Sequence, residues 1–308
     1  MARLNNRIKA SRLYQGMKQW LTTHSLPGFY GIPVYDILKF IRHEIQKESL
    51  ILRANATAFS FLLALFPSII VLFTLLPYLP IDGVVLALER ALLQVLPAES
   101  TRYVTNAIEE ITSIPREGLL SVGLLLTLFF ASNGMLSLLR GFEKRYAISY
   151  NTRSGLHRRI VALQLTLLLG FLLISSIVLV VMGRTVTDAL LTWAKVDYNE
   201  YVFILVLRWI AIVLMYYSGI SFLYRYGPSL KQRMRFFTPG ATLATILSLI
   251  SSWAFAYYVN QFDTYNKFYG SLGALIVLML WLQINAFIIL IGYELNASII
   301  VTRAMREN

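Results

Sequence analysis

Two charged side chains stand within or at the edge of apolar runs of this chain, Arg208 inside one and Glu294 at the end of another. A charge in hydrocarbon is costly enough that each suggests a functional site. Arg208 lies about seven residues into the run Val202–Tyr224, roughly 10 Å past its boundary at 1.5 Å per residue. A guanidinium at that depth suits contact with an anion in a cavity open to that side. A side chain snorkelling to the surface, or an ion pair with Asp263, Glu200 or Glu110, accounts for it equally simply. Glu294 follows the run Leu272–Tyr293 and stands 11 residues after Gln283, so the two project from nearly one helical face. A carboxylate there suits a proton relay or coupling site, or a structural ion pair with Arg53, Arg140 or Arg145. Asn55, Thr57, Ser60, Asn133, Asn285 and Asn296 add uncharged polar groups, most of them near the Glu294 end of their runs. Amides in lipid usually hydrogen-bond between helices, and the same group would serve to line a cavity. Arg208 and Glu294 belong to opposite ends and are not expected to pair.

Other chemistry has no candidates. The three histidines, His24, His43 and His157, are scattered outside the apolar runs, and the chain has no cysteine. No His/Asp/Glu spacing suits a metal, and no Walker loop, G-x-S-x-G or dinucleotide fingerprint occurs. No catalytic residue, cofactor or metal site is therefore expected, and enzymatic activity is not the expected role.

The elements that must carry these side chains are set by composition. Of 308 residues 57% are hydrophobic and only 14% charged, with a net charge of +12. Soluble domains carry about 25% charged residues, so too little polar surface is available to coat this chain. Six runs are long enough to cross a hydrocarbon core of about 30 Å. They are Ala54–Leu76, Leu119–Leu139, Ile160–Met182, Val202–Tyr224, Thr238–Val259 and Leu272–Tyr293. Backbone groups in lipid must be satisfied within the segment, so the runs must be helices. Of the 28 basic residues, 21 fall on one side of six alternating crossings, six on the other, and Arg208 within a span. The positive-inside rule then places both termini in the cytoplasm. The expected protein is an all-α integral membrane protein with six transmembrane helices, N-in and C-in. It divides into a basic N-terminal segment 1–53, a membrane domain 54–300 and a short tail 301–308.

Residues 1–53 lack the short apolar run and small-residue cleavage site of a cleavable signal peptide. Val34, Ile37, Leu38, Ile41 and Ile45 recur at helical spacing opposite Lys39, Arg42, His43 and Lys47, the pattern of an amphipathic helix lying in the membrane interface. The loop 77–118 carries two apolar stripes separated by Pro97, read as two short helices capping the bundle on the external side. In the fifth span Gly240, Ala244, Ser248, Ser252 and Ala256 place a small residue at every fourth position. Such a ladder lets another helix approach closely, from the same chain or from a second copy in a homo-oligomer. Pro239 suits the first turn of that helix, and Pro67 should kink the first span. The excess positive charge is accounted for by anionic headgroups at the cytoplasmic face, so membrane lipids are the expected partners and nucleic acid is not.

The stretch Tyr269-Gly270-Ser271-Leu272-Gly273-Ala274, then Trp281, then Gly292-Tyr293-Glu294-Leu295-Asn296-Ala297, resembles the closing signature of the BrkB/YihY family. The stretch from Ala56 to Pro67 is similar to that family's first span, and Pro239-Gly240-Ala241 to the start of its fifth. One departure is Glu143, where the family pattern has an asparagine ahead of the tyrosine matched by Tyr146. The resemblance, covering about residues 35 to 300, implies a bacterial inner-membrane protein with six helices. It adds weight to Gly270, Ser271, Gly273, Glu294 and Asn296. The family once carried the label ribonuclease BN, for which this sequence offers no residues, and the resemblance implies no particular molecular activity. The polar spans favour a transporter or translocase of lipid, ion or small solute. The other reading is an envelope scaffold that recruits partners without transporting anything.

Overall fold

The computed structural model describes residues 19–25, 27–47, 50–75, 117–143, 150–194, 198–261 and 271–307. Seven helices occupy most of them: α1 (Val34–Lys47), α2 (Leu50–Leu75), α3 (Glu117–Gly141), α4 (Gly155–Ala194), α5 (Tyr198–Tyr226), α6 (Pro239–Gln261) and α7 (Ser271–Glu307). Among the described residues the only β pairing is an isolated bridge between Tyr150 and Leu230. The last six helices are long and apolar enough to cross a membrane, as the composition requires. Two overrun the expected spans by far more than the others. Helix α4 has 40 residues and α7 has 37, about 60 and 55 Å of helix at 1.5 Å per residue. The turns beyond Tyr293 stay helical because Leu295, Ile299 and Val301 continue the apolar periodicity and are buried. Residues 301–307, expected as a tail, are therefore the end of α7.

The chain forms two compact units, Phe59–Gly134 and the remainder. In the smaller unit α2 runs unbroken through Pro67. A Cβ on Gly134 would lie 2.8 Å from the Phe61 ring, and one on Gly123 would lie 3.1 Å from a Val71 methyl. Glycine at these two positions lets α2 and α3 pack closely. Residues 77–116, where two amphipathic helices are expected, lie outside the described residues.

In the larger unit the core sits where the first turns of α2, α4 and α6 meet the last turns of α3 and α5 and the middle turns of α7. Ala54, Leu139, Phe142, Ala162, Tyr224, Ala241, Leu290 and Tyr293 are buried there. Toward the opposite ends large apolar side chains such as Phe171, Leu173, Ile250 and Trp253 turn outward. That arrangement suits a hydrocarbon solvent, in which exposing such groups costs nothing. Arg53, Arg153, Arg225, Lys231, Arg233, Arg235 and Arg303 all belong to the well-packed end, called the basic end below. Helix α1 lies here too. Its Val34 and Ile37 join Phe29 and Ile32 in a cluster with Leu295 and Ile299 of α7. Part of the stripe expected to face the membrane interface is thus covered by α7, while Leu38, Lys39 and Arg42 remain exposed.

Candidate functional site

The start of α6 explains why two distant sequence motifs belong together. Thr238 is its N-cap, its hydroxyl accepting the Ala241 N–H at 3.2 Å, with Pro239 at the first helical position. Asn296 of α7 completes the cap. Its Oδ1 accepts the Gly240 N–H at 2.9 Å, and its Nδ2 donates to Thr238 Oγ1 at 3.0 Å. Backbones come this close because both crossing residues are glycines. A Cβ on Gly240 would collide with the Gly292 carbonyl, and one on Gly292 would lie 2.5 Å from the Tyr224 hydroxyl and 2.8 Å from the Ala244 methyl. Pro239-Gly240-Ala241 and Gly292–Ala297 are therefore the two halves of one joint. The small-residue ladder of α6 meets α7 of the same chain through Gly240 and Ala244. Ser248 is buried, Ser252 half-buried, and Ala256 exposed.

Beside this joint the bundle is filled by aromatic rings. The hydroxyls of Tyr150 and Tyr293 share a hydrogen bond of 2.8 Å, and Tyr224 donates to the Ile289 carbonyl at 2.7 Å. Phe142 packs against two of these rings, its centroid 4.3 Å from that of Tyr293 and 5.8 Å from that of Tyr224, which are 5.9 Å from each other. Glu294 is 0% exposed at this level. Its backbone carbonyl accepts the Ser298 hydroxyl at 2.6 Å. Of the basic residues expected near its carboxylate, Arg53 donates to the Gly141 carbonyl at 3.1 Å and Arg140 is exposed. Arg145 lies outside the described residues.

Arg208 is set apart from Glu294. Tyr224 is level with Ile289, and Arg208 precedes it by about 16 residues, roughly 24 Å along α5. Arg208 is half-buried, and its Nε is enclosed with no hydrogen-bond partner among the described residues. It shares a helical face with Ile212, Met215 and Gly219, which line an apolar groove of about 390 Å³ with Leu169, Leu172 and Ser176 of α4. Ser176 spends its hydroxyl on the Leu172 carbonyl at 2.9 Å, so the groove's interior is almost wholly hydrocarbon.

The remaining amides are dispersed. Asn285 donates to the Trp281 carbonyl of its own helix at 2.9 Å, and Gln283 is half-buried on α7. Asn55 is half-buried with its Oδ1 enclosed, and Asn133 is half-buried in the smaller unit. Ser271 opens α7 with Gly273 in its first turn, whereas Gly270 lies outside the described residues.

Sequence reasoning missed a clamp at the α5–α6 connection. Arg153 donates to the carbonyls of Gly227 at 2.8 Å, Pro228 at 3.0 Å and Tyr226 at 3.5 Å. Arg225 donates to the Met234 carbonyl at 3.1 Å. Burial lowers the pKa of the Arg153 guanidinium from its ordinary value, with Glu143 opposing the shift and Arg233 and Arg158 adding to it. In the sequence these arginines are indistinguishable from the other topology-setting charges. The one signal was Gly227-Pro228, which ends α5 and leaves carbonyls for a side chain to satisfy. Glu143, the departure from the family pattern, forms an ion pair with Arg158 at 2.6 Å.

Six apolar helices and a joint inside the bundle define a polytopic α-helical membrane protein. The sequence profile of the virulence factor BrkB family matches residues 41–307, and the chain belongs to that family. Its resemblance to the ribonuclease-like protein YfkH of Bacillus subtilis (strain 168) is 33% identity over 272 residues, 84% of this chain and 91% of that protein. UPF0761 membrane proteins of Xanthomonas campestris pv. campestris (strain B100) and Xanthomonas oryzae pv. oryzae (strain PXO99A) are each 39% identical over 88 residues. Those matches cover 29% of this chain and 21% of each relative. No solved structure matches significantly.

Proposed function

We propose that this protein is a translocase of an anionic amphiphile, a phospholipid or similar molecule, in the bacterial inner membrane with both termini in the cytoplasm. The observation that carries the reading is the apolar groove between α4 and α5 with Arg208 on the same face of α5. An acyl chain fits a hydrocarbon furrow, and an anionic head would pair with a guanidinium whose Nε is otherwise enclosed. The orientation rests on the 21 basic residues assigned to one side of the membrane.

The test is movement of a fluorescent anionic phospholipid between leaflets of proteoliposomes. Wild type is compared with Arg208→Gln and with Gly219→Leu, which fills the groove. Protein-dependent movement that both changes reduce by about tenfold or more supports the reading. No protein-dependent movement sinks it.

A second reading is favoured by one observation. The rings of Phe142, Tyr224 and Tyr293 pack against one another in the buried core at the basic end. A rigid envelope scaffold would look the same at that end. Absence of lipid movement together with stable co-purification of one partner would support it.

A further inference from the structure

At the basic end, outside the aromatic core, two adjoining hollows of about 520 and 360 Å³ share Tyr30, Met234, Arg235, Ile299 and Ile300 and so form one groove. Its charged lining is wholly cationic: Lys231, Arg233, Arg235 and Arg303 border it, and no carboxylate does among the described residues. A solvated charged face would leave these side chains independent of one another. Here the backbone holds them. The segment 231–235 follows the turn clamped by Arg153, and Arg225 fixes its middle through the Met234 carbonyl. Met234 is buried, while Lys231, Arg233 and Arg235 on either side of it are exposed.

The opposite wall is equally fixed. Phe29 is buried as an anchor, and the next residue, Tyr30, has φ of +53° between Gly28 at +86° and Gly31 at +75°. A tyrosine seldom adopts this left-handed backbone, and such strain tends to persist at functional positions. The turn puts the Tyr30 ring within cation–π reach of two guanidinium carbons, 5.7 Å from that of Arg235 and 4.9 Å from that of Arg303. Phe237, 76% exposed, stands two residues before the first residue of α6, so the groove sits just outside the start of a span. Aromatic residues and a basic cluster at that level are features of a headgroup site.

We infer that this groove binds the phosphate of an anionic phospholipid headgroup, with Arg233 and Arg235 as its principal charge partners and Tyr30 as its aromatic wall. The glycerol and the upper acyl chain would lie against Phe237 and Ile300. The inference stands whether or not the protein moves lipid.

The test uses the full chain in uncharged detergent micelles, titrated with dioctanoyl phosphatidylglycerol, dioctanoyl phosphatidylcholine and inorganic phosphate, with bound ligand counted by native mass spectrometry. Saturable binding of phosphatidylglycerol over phosphatidylcholine is expected. Arg233→Gln with Arg235→Gln should weaken it by about tenfold or more. Lys39→Gln with Arg42→Gln removes equal charge from exposed positions on α1 and should change it by less than about twofold. Arg233→Lys with Arg235→Lys keeps the charge and shows that a weakened Gln variant has lost charge rather than shape. Equal losses from both neutralised pairs would overturn the inference in favour of a diffuse field. Binding of inorganic phosphate as tight as that of the lipid would overturn the headgroup assignment.

Discussion

The hydroxyls of Tyr150 and Tyr293, 143 positions apart in the chain, meet at 2.8 Å inside the closed end of the bundle. Tyr150 follows α3 and begins the approach to α4, whereas Tyr293 lies on α7, so this bond ties a connecting segment to the last helix. Tyr293 is fully buried, so removing the Tyr150 hydroxyl takes away a bond made inside the core and should cost about 1–3 kcal/mol. Tyr150→Phe and Tyr293→Phe should each lower the unfolding temperature in micelles, and the loss in the double variant should be well below the sum of the two single losses. Strict additivity would show that the pair contributes nothing as a pair.

The joint between α6 and α7 should be intolerant of a single methyl group. Gly240→Ala would press against the Gly292 carbonyl and the Asn296 amide, and Gly292→Ala against Tyr224 and Ala244. Overpacking of this kind costs about 1–3 kcal/mol and more where backbone must move. Gly170→Ala provides the contrast, since nothing lies within 4 Å of a Cβ there. It should be neutral or stabilising by about 0.5–1 kcal/mol, because alanine is the better helix former. Size-exclusion profiles and thermal unfolding of the three variants would show the difference.

Glu143 and Arg158 form a short but partly solvated pair, with side chains 37% and 24% exposed. Glu143→Asn, which restores the residue type of the family pattern, should therefore cost less than about 1 kcal/mol, and less still at high salt. A loss several times larger, insensitive to salt, would mean that Glu143 does more than pair with Arg158.

Topology can be read without background because the chain has no cysteine. Lys231→Cys should react with an impermeant maleimide only when the cytoplasmic face is accessible, as in inside-out vesicles. Ser100→Cys should react from the outside of spheroplasts. The reverse pattern would overturn the proposed orientation.

The sequence by itself determined the elements. Six apolar runs require six long helices in lipid, because no other arrangement satisfies the backbone there, and these helices are the ones observed. The closing motif, read residue by residue, already identified the family that the profile match shows. A charge set within or beside an apolar run singled out Arg208 and Glu294 by its cost, which is a property of each residue and its run alone.

Tertiary structure decided what those residues face. Glu294 reads from sequence as an edge residue, yet it is fully buried, because α7 continues for several turns beyond it and α1 covers part of that extension. Asn296 could have lined a cavity or held two helices together, and its bonds to Gly240 and Thr238 show that it caps α6. Arg153, Arg225 and Arg233 are equivalent as topology charges, but two brace a loop through its carbonyls while the third borders a groove. Composition and periodicity report how a residue meets its solvent. Which carbonyl, ring or glycine it meets depends on contacts between segments far apart in the chain, such as the 56 positions between Gly240 and Asn296.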